Sequence, residues 1–353
     1  MTEQFEQLLQ TALKENASDL HLAVGRRPTI RVAGGLIELT AHPTLTPRAV
    51  EEMVAVILSK EQQERFGRER ELDLSYGYQD RARFRVNVFF QKGFMGVALR
   101  YIPTTIRDFQ ELNLPPSLAE FSNREQGFFL IVGPTGHGKT TTLAAMVDHI
   151  NHTRTDHIIT IEDPIEYLFT SDRAIIDQRE VGMDTGSFHR ALKSMFRQDV
   201  DVAMIGEMRD PETMAAAVTA AETGHLILSS LHTNNAAQTI DRIIDSFPSH
   251  QQSQIRVQLA ETLIAIVSQR LVPRASGGLI PAVEIMIANH AIRNLIREGK
   301  THELDLVIET HAEEGMVSLN RSLVDLVRRG EISLDQAARY TLNEDELSSL
   351  LKG

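Results

Sequence analysis

A glycine-rich stretch carries the residue types and spacing needed to hold phosphate. Residues 133–140 read Gly-Pro-Thr-Gly-His-Gly-Lys-Thr, between an apolar run at 128–132 and a helical pattern at 141–150. Glycines let successive backbone N–H groups close on phosphate oxygens, where a Cβ would block the approach. Lys139 can reach the β- and γ-phosphates, and Thr140 can offer its hydroxyl to Mg²⁺. A chance glycine turn is the alternative, but the flanking patterns favour a P-loop that binds a nucleoside triphosphate.

Acidic residues follow two further apolar runs. Residues 158–161 precede Glu162-Asp163-Pro164-Ile165-Glu166, and residues 202–205 precede Gly206-Glu207-Met208-Arg209-Asp210. A carboxylate at a strand end can hold the Mg²⁺ hydration shell, or orient and deprotonate an attacking water. The second run resembles a Walker B strand, although Gly206 stands where many P-loop proteins place Asp. Asp210 before Pro211 also fits a helix N-cap.

Two histidines, His225 and His232, flank the apolar run of residues 226–231. An isolated histidine is more often structural, but a position beside a P-loop makes both candidates to touch the nucleotide or a subunit interface. The side chain of His137, inside the loop, is expected to be incidental. The nucleotide-binding candidates are Gly133, Pro134, Thr135, Gly136, His137, Gly138, Lys139, Thr140, Thr141 and His225.

These residues need a sheet to bring them together. From residue 128 the pattern alternates strand and helix, which predicts a mostly parallel sheet with the site at the edge where the carboxyl ends meet. After residue 251 helical patterns dominate, and Ile255, Leu259, Leu263 and Ile266 mark one face of a long helix. The predicted strands are 128–132, 158–161, 174–177, 202–205 and 226–229.

The first 102 residues predict a separate, small α+β domain. A helix ends near Asn16, short strands follow at 19–22, 29–32 and 36–39, a helix runs from Pro47 to Leu58, and longer strands cover 83–90 and 94–102. Arginines are dense on the later strands. On a strand, Arg81, Arg83 and Arg85 share one face, and Arg100 follows on the next. They form either a solvated sheet face or arginine fingers for a phosphate on a neighbouring subunit.

Length and composition bound the class of protein. A chain of 353 residues favours two domains, here residues 1–102 and 118–353 with a linker at 103–117. A hydrophobic share of 42% and a charged share of 24% describe an ordinary globular protein, with no expected membrane span or signal peptide. The absence of cysteine excludes disulfides and Cys-ligated metal sites. A net charge of −12 lowers the expectation of nucleic-acid binding.

Several motifs in one order resemble the secretion ATPases, the hexameric motors of type II and type IV secretion and of type IV pili. The stretches 133–140, 160–166, 206–210 and 219–233 resemble the Walker A motif, Asp box, Walker B motif and His box. Within that superfamily the chain is similar to the pilus retraction ATPases, the PilT family. Residues 17–22, Ala-Ser-Asp-Leu-His-Leu, match its N-terminal signature, and residues 291–298, Ala-Ile-Arg-Asn-Leu-Ile-Arg-Glu, match a C-terminal motif associated with retraction.

The resemblance implies an α/β fold: a RecA-like P-loop ATPase core, a smaller N-terminal α+β (PAS-like) domain and a helical C-terminal region. It also implies a cytoplasmic homohexamer that hydrolyses ATP with Mg²⁺ at the inner face of the membrane. The implied partner is an inner-membrane pilus platform protein, and no nucleic acid is expected. The polar face of residues 291–298 would contact that platform, or it is a solvated helix surface.

The same resemblance assigns roles to individual residues. Glu166 is the implied catalytic base, and Glu207 is the Walker B acid that holds Mg²⁺ with Thr140, partly through water. His225 and His232 would couple the nucleotide to the subunit interface. The arginine-finger candidates are Arg83, Arg85 and Arg100. Two departures are Gln126, where relatives often have Arg, and His137, where Ser is usual.

Three other functions stay open. An assembly or type II secretion motor would use the same chemistry with the opposite mechanical output. Such relatives often carry a tetracysteine zinc module, which this chain lacks. A nucleotide-gated regulatory subunit would turn over too slowly to drive a motor. A DNA-dependent motor is disfavoured by the acidic charge.

Overall fold

The computed structural model describes residues 3–32, 34–79, 82–103 and 105–352. The chain divides into two compact units. The first, here called the N-terminal unit, is Met1–Thr105 with Pro164–Leu168, and the second, the core unit, is Ile106–Asp163 with Phe169–Gly353.

The N-terminal unit is an antiparallel sheet with three helices. Its helices are α1 (Glu3–Lys14), α2 (Pro47–Ile57) and α3 (Lys60–Glu69). Its strands are β1 (Asp19–Ala23), β2 (Thr29–Val32), β3 (Gly35–Glu38), β4 (Glu71–Tyr78), β5 (Ala82–Gln91) and β6 (Phe94–Ile102). In the described residues they lie in the order β3-β2-β1-β6-β5-β4. The strands and helices that the sequence predicts in this unit are confirmed. The structure also contains α3 and β4, which the sequence does not predict.

Alternation along the strands builds the core of this unit. Phe84, Val86 and Val88 of β5 are buried in one cluster with Phe5 of α1 and Val50 of α2. The residues between them point to the opposite face, because successive side chains of a strand alternate. Helix α2 begins where predicted, since Thr46 accepts a hydrogen bond through Oγ1 from the backbone N–H of Ala49 at 3.2 Å.

The core unit is an α/β structure. Its strands are β7 (Gly127–Val132), β8 (His157–Glu162), β9 (Ile175–Glu180), β10 (Val202–Ile205), β11 (Leu226–Leu231), β12 (Leu263–Pro273) and β13 (Leu279–Ile287). Its first helices are α4 (Ser117–Ser122), α5 (Lys139–Thr153), α6 (Phe188–Met195), α7 (Pro211–Glu222), α8 (Ala236–Asp245) and α9 (Ser249–Thr262). Those that follow are α10 (His290–Glu298), α11 (Leu304–Thr310), α12 (Leu319–Arg328), α13 (Leu334–Tyr340) and α14 (Glu344–Lys352).

The described strands of this unit lie in the order β13-β12-β7-β11-β10-β8-β9. All neighbours are parallel except β12 and β13. The carboxyl ends of β7, β8, β10 and β11 therefore meet at one edge, as the sequence predicts, and all five predicted strands are present.

The long helix predicted after residue 251 is wrong in its second half. Helix α9 ends at Thr262, and Leu263 and Ile266 lie on β12 beside β7. The residues 263–267, Leu-Ile-Ala-Ile-Val, fill a strand that is buried almost throughout. A strand with two buried faces is apolar at nearly every position, so it also satisfies a helical spacing of apolar residues.

Helices α12 and α13 pack on β12 and β13, the antiparallel pair at one edge of the core sheet. Val272 of β12 and Ile280 of β13 share a buried cluster with Leu319 and Leu323 of α12 and Ala337 of α13. In the part of the chain that the structure describes, no helix is long and apolar enough to cross a membrane.

Candidate nucleotide site

The loop between β7 and α5 adopts a conformation that requires glycine. Gly133 has φ +146°, and a Cβ on it would come within 2.4 Å of the carbonyl oxygen of Gln269. Gly138 is left-handed, with φ 78°, and caps the start of α5. Strand, glycine loop and helix therefore have the geometry in which backbone N–H groups line a phosphate cradle.

Lys139 is held at the mouth of this loop. Its Nζ donates to the carbonyl oxygens of Gly133 at 2.8 Å and Pro134 at 3.0 Å, and the residue is only 7% exposed. Nζ also lies 3.3 Å from Nδ1 of His232. Thr140 and Thr141, both half-buried, follow in the first turn of α5. The lysine is thus placed beside the loop and not in open solvent.

Glu207 follows β10 and lies next to the histidine that follows β11. Its Oε2 is 3.4 Å from Nε2 of His232, and its Oε1 forms an ion pair with Arg209. The hydrogen bond and the charge of Glu207 raise the pKa of Arg209 further above its ordinary value. His232 also lies 3.3 Å, through Nδ1, from the hydroxyl of Thr135. One imidazole therefore connects the carboxylate of Glu207 to the P-loop.

Neighbouring strands fix the backbone that carries Glu207. The N–H of Gly206 donates to the carbonyl of Ile161 on β8 at 2.8 Å. On the other side, Ser230 of β11 donates through Oγ to the carbonyl of Gly206 at 2.6 Å. The backbone just before Glu207 is therefore hydrogen-bonded to a strand on each side, and these bonds fix the position of Glu207.

The acidic residues after β8 have two different environments. Glu162 is buried, and its Oε1 accepts from Oγ1 of Thr160 at 2.7 Å and from Nε2 of Gln178 at 3.3 Å. Glu166 is exposed and lies in Pro164–Leu168, a segment that belongs to the N-terminal unit. Its role as catalytic base stays a prediction.

The two predicted histidines do not lie together. His232 is at the carboxyl end of β11, whereas His225 precedes the strand, and its carbonyl accepts from the N–H of Gly127 at the start of β7. A strand rises about 3.3 Å per residue, so roughly 20 Å of sheet separates them. Nδ1 of His225 lies 3.0 Å from the carbonyl oxygen of Ala220 in the last turn of α7, so the ring contacts the end of that helix. We therefore correct the prediction that His225 contacts the nucleotide within its own chain.

The predicted finger arginines share the outer face of the N-terminal sheet. Arg85 on β5 is directly opposite Arg100 on β6, and Arg100 is opposite Asp19 on β1. Nε of Arg100 donates to Oδ1 of Asp19 at 2.9 Å. Partial burial acts to raise the pKa of Asp19, but hydrogen bonds from Ser18 and Arg100 outweigh it and lower the pKa.

Arg83 lies two residues from Arg85 on the same face, and Arg81 falls outside the described residues. Like charges directly opposite each other are destabilising, so Asp19 offsets part of the cost of placing Arg100 beside Arg85. Arg85 itself is exposed. The finger role of Arg83, Arg85 and Arg100 stays a prediction.

Strand β12 contributes loop contacts that the sequence does not predict. Gln269 donates through Nε2 to the carbonyl of His137 at 2.8 Å, and its Oε1 accepts from Oγ1 of Thr142 at 2.9 Å. The backbone N–H of Leu271 donates to Nδ1 of His137 at 2.9 Å. The expectation that the His137 side chain is incidental is therefore wrong. The β-branched run before Gln269 was the signal that could have identified the strand.

The C-terminal motif forms α10, and one of its arginines faces inward. Arg293 donates through Nη1 to the carbonyls of Ala260 and Glu261, and through Nη2 to that of Leu263 at 2.9 Å. These carbonyls lie at the end of α9, where a helix leaves acceptors without intrahelical donors. Burial lowers the pKa of Arg293, which stays charged. Asn294, Arg297 and Glu298 remain exposed.

Comparison with known proteins agrees with this geometry. The family described as "Type II/IV secretion system protein" matches residues 1–277. The Pseudomonas aeruginosa protein named "Type IV pilus retractation ATPase PilT" is 43% identical over 331 residues, 94% of this chain and 96% of that protein. A Neisseria gonorrhoeae "Twitching motility protein" is 42% identical over 322 residues, 91% and 86% of the two chains.

A solved structure matches over nearly the whole chain. The crystal structure of the pilus retraction motor PilT and bound ADP aligns with a TM-score of 0.90 and 43% identity, covering 97% of this chain and 98% of that one. The fold is therefore that of a RecA-like ATPase with an N-terminal domain and a helical C-terminal part. The chain belongs to the type II/IV secretion system protein family and, within it, to the PilT family of ATPases.

Proposed function

We propose that this chain is an ATP-hydrolysing motor that drives type IV pilus retraction. The observation that carries the proposal is the contact series at the carboxyl edge of the core sheet, from Lys139 through His232 to Glu207. It joins a P-loop to an acidic residue at a strand end, which is the arrangement that phosphoryl transfer needs. The similarity to PilT supports pilus retraction as the process that this hydrolysis drives.

ATP is the proposed substrate, held by the backbone of residues 133–140. Lys139 binds the β- and γ-phosphates, and the half-buried Thr140 at the start of α5 would offer its hydroxyl to Mg²⁺. The residues present fit Mg²⁺, which prefers carboxylate and hydroxyl oxygens and keeps several waters. Bound there, it would neutralise charge that develops on the phosphates. Glu207 would hold the ion partly through water, while Arg209 and His232 keep the carboxylate oriented.

Glu166 is the proposed base that takes a proton from the attacking water. The finger arginines, Arg83, Arg85 and Arg100, are proposed to act from a neighbouring subunit of a homohexamer. Arg85 and Arg100 are exposed and offer positive charge that can interact with a γ-phosphate. Closing an interface on that phosphate gives the closed state a binding energy that the open state lacks, and hydrolysis removes this difference. A cycle around the ring then does mechanical work.

The proposed location is the cytoplasm, at the inner face of the cytoplasmic membrane. The motor would associate with the membrane peripherally, through an inner-membrane pilus platform protein. The exposed side chains of α10, among them Arg297 and Glu298, are the proposed contact with it, since Arg293 is already engaged within the chain.

Steady-state hydrolysis by the purified chain tests the enzymatic part. Wild type should turn over ATP with Mg²⁺, and Lys139→Ala should lose nucleotide binding. Glu166→Gln should bind ATP and lose turnover by about 100-fold or more, because general base catalysis contributes at least that much. The control is Glu212→Gln, an exposed carboxylate in the first turn of α7. Full turnover by Glu166→Gln would contradict the assignment of the base.

A further inference from the structure

The P-loop of this chain contains a histidine whose ring is bonded to a strand outside the loop. The backbone N–H of Leu271 on β12 donates to Nδ1 of His137 at 2.9 Å. An imidazole nitrogen accepts a hydrogen bond only through its lone pair. The bond therefore requires a neutral ring whose proton is on Nε2.

The same strand holds the loop at a second point. Gln269, only 2% exposed, donates to the carbonyl of His137 at 2.8 Å and accepts from the hydroxyl of Thr142 on α5 at 2.9 Å. The residue at the tip of the loop is thus fixed through both its backbone and its ring. Only the ring contact depends on protonation, since the amide of Gln269 does not titrate in the physiological range.

The surroundings of the ring favour its neutral form. Burial lowers the pKa of His137, and the charges of Arg270 on β12 and Lys139 on α5 lower it further. From α13, Tyr340 presents its ring edge-on, with the two ring centroids 6.3 Å apart. No carboxylate is among the groups that shift this pKa. The ring is therefore neutral at pH 7 and above, and it charges only as the pH falls below the ordinary histidine range.

We propose that His137 is a positioning residue for nucleotide binding, whose neutral ring holds the P-loop on β12 at a second point and whose protonation breaks that contact. A protonated Nδ1 becomes a donor that faces the N–H of Leu271, so the attraction turns into repulsion. Held by Gln269 alone, the loop is less ordered and must be ordered further by the nucleotide, which costs affinity. This inference rests on the proposed function, because it assigns a regulation to the same ATP site.

The test is the affinity of a fluorescent ATP analogue between pH 5.5 and pH 8, measured with Mg²⁺ for wild type and three variants. His137→Asn keeps an acceptor oxygen near the position of Nδ1 that does not titrate. His137→Ala removes the acceptor. The matched control is His302→Asn, a histidine with a 77% exposed side chain on another element. Thermal unfolding of each variant checks that it is folded.

The wild-type Kd should rise as the pH falls, by about threefold to tenfold more than that of His137→Asn, which corresponds to the loss of one hydrogen bond. His137→Ala should bind weakly at pH 8, by a similar factor, and the Asn variant should restore binding there. The His302→Asn profile should follow wild type. Every other titrating group, including those of the nucleotide, is common to wild type and His137→Asn, so the difference between these two profiles isolates residue 137.

Parallel profiles for wild type and His137→Asn would overturn the inference, and so would unchanged affinity in His137→Ala at pH 8. Either result leaves the proposed function standing, because the wild type still binds the nucleotide. Absence of binding by wild type at every pH contradicts the proposed function itself.

Discussion

Nε2 of His232 lies 3.4 Å from Oε2 of Glu207, so the histidine after β11 faces the carboxylate after β10. The other nitrogen of the ring lies 3.3 Å from Nζ of Lys139. His232 thus contacts both the carboxylate of Glu207 and the lysine of the P-loop. Changes to either residue of the pair should affect turnover more than they affect folding, since both sit at a sheet edge and not in the core.

Glu207→Gln should lower kcat by about 100-fold, because the uncharged amide keeps the shape of the side chain and loses its attraction for Mg²⁺. Binding of ATP without Mg²⁺ should change little. Titration of the ATPase rate with Mg²⁺ measures the effect. If the ATPase rate of this variant depended on Mg²⁺ as that of wild type does, the assignment of Glu207 to the metal site would be contradicted.

Arg293→Ala should destabilise the chain by about 1–3 kcal/mol, because the last carbonyls of α9 lose charged hydrogen-bond donors. Arg297→Ala, on the exposed side of the same helix, should leave the free energy of unfolding unchanged and reduce retraction. Denaturant unfolding and pilus imaging of the two variants separate a structural from a partner-binding arginine. Equal stability of the two variants would mean that Arg293 is not a structural cap.

The buried carboxyl of Glu284 on β13 should give the free energy of unfolding an unusual dependence on pH. Burial raises its pKa to about 7, against the effect of a 2.8 Å hydrogen bond from the N–H of Ala236. A carboxyl pKa that is raised on folding favours the folded state at low pH, and this advantage is lost as the pH rises from 4.5 to about 7. Glu284→Gln should therefore be more stable than wild type at pH 8, on the order of 1–3 kcal/mol, and similar at pH 5.

Glu331, whose pKa is lowered in the folded protein, serves as the control for that experiment. A hydrogen bond from Arg274 lowers the pKa of Glu331, so its charged form stabilises the fold above pH 4.5. Glu331→Gln should lose stability at pH 8, where Glu284→Gln gains it. Unfolding of both variants by urea at pH 5 and pH 8 gives the comparison. A loss of stability in Glu284→Gln at pH 8 would contradict the predicted sign.

Arg85 offers a test of whether the arginines act on a neighbouring subunit. Arg85→Ala and Lys139→Ala should each abolish most ATPase activity when assembled alone. Mixed before assembly, they should regain activity, because some interfaces then combine an intact P-loop from one subunit with an intact Arg85 from the other. Subunits carrying both changes, mixed with either single variant, provide the control. No recovery on mixing would indicate that Arg85 lies on a solvated face.

The sequence was sufficient for the parts of the site that are local. The P-loop glycines, Glu207 after its strand and the Asp210 cap, whose Oδ1 accepts from the N–H of Thr213 at 2.7 Å, are each specified within a few residues. The bond between His137 and Leu271 joins positions 134 residues apart, and no local pattern encodes it. The separation of His225 from His232, by contrast, follows from the sequence, because the two histidines lie at opposite ends of one predicted strand and only its carboxyl end meets the site.

The central claim is tested most directly by imaging labelled pili in the organism that encodes this chain. Deletion of its gene, followed by complementation with wild type or Glu166→Gln, is compared in single cells. The account predicts that deleted cells extend pili and fail to withdraw them, that wild type restores withdrawal, and that Glu166→Gln does not. Cells without pili after deletion would indicate an assembly motor and contradict the account.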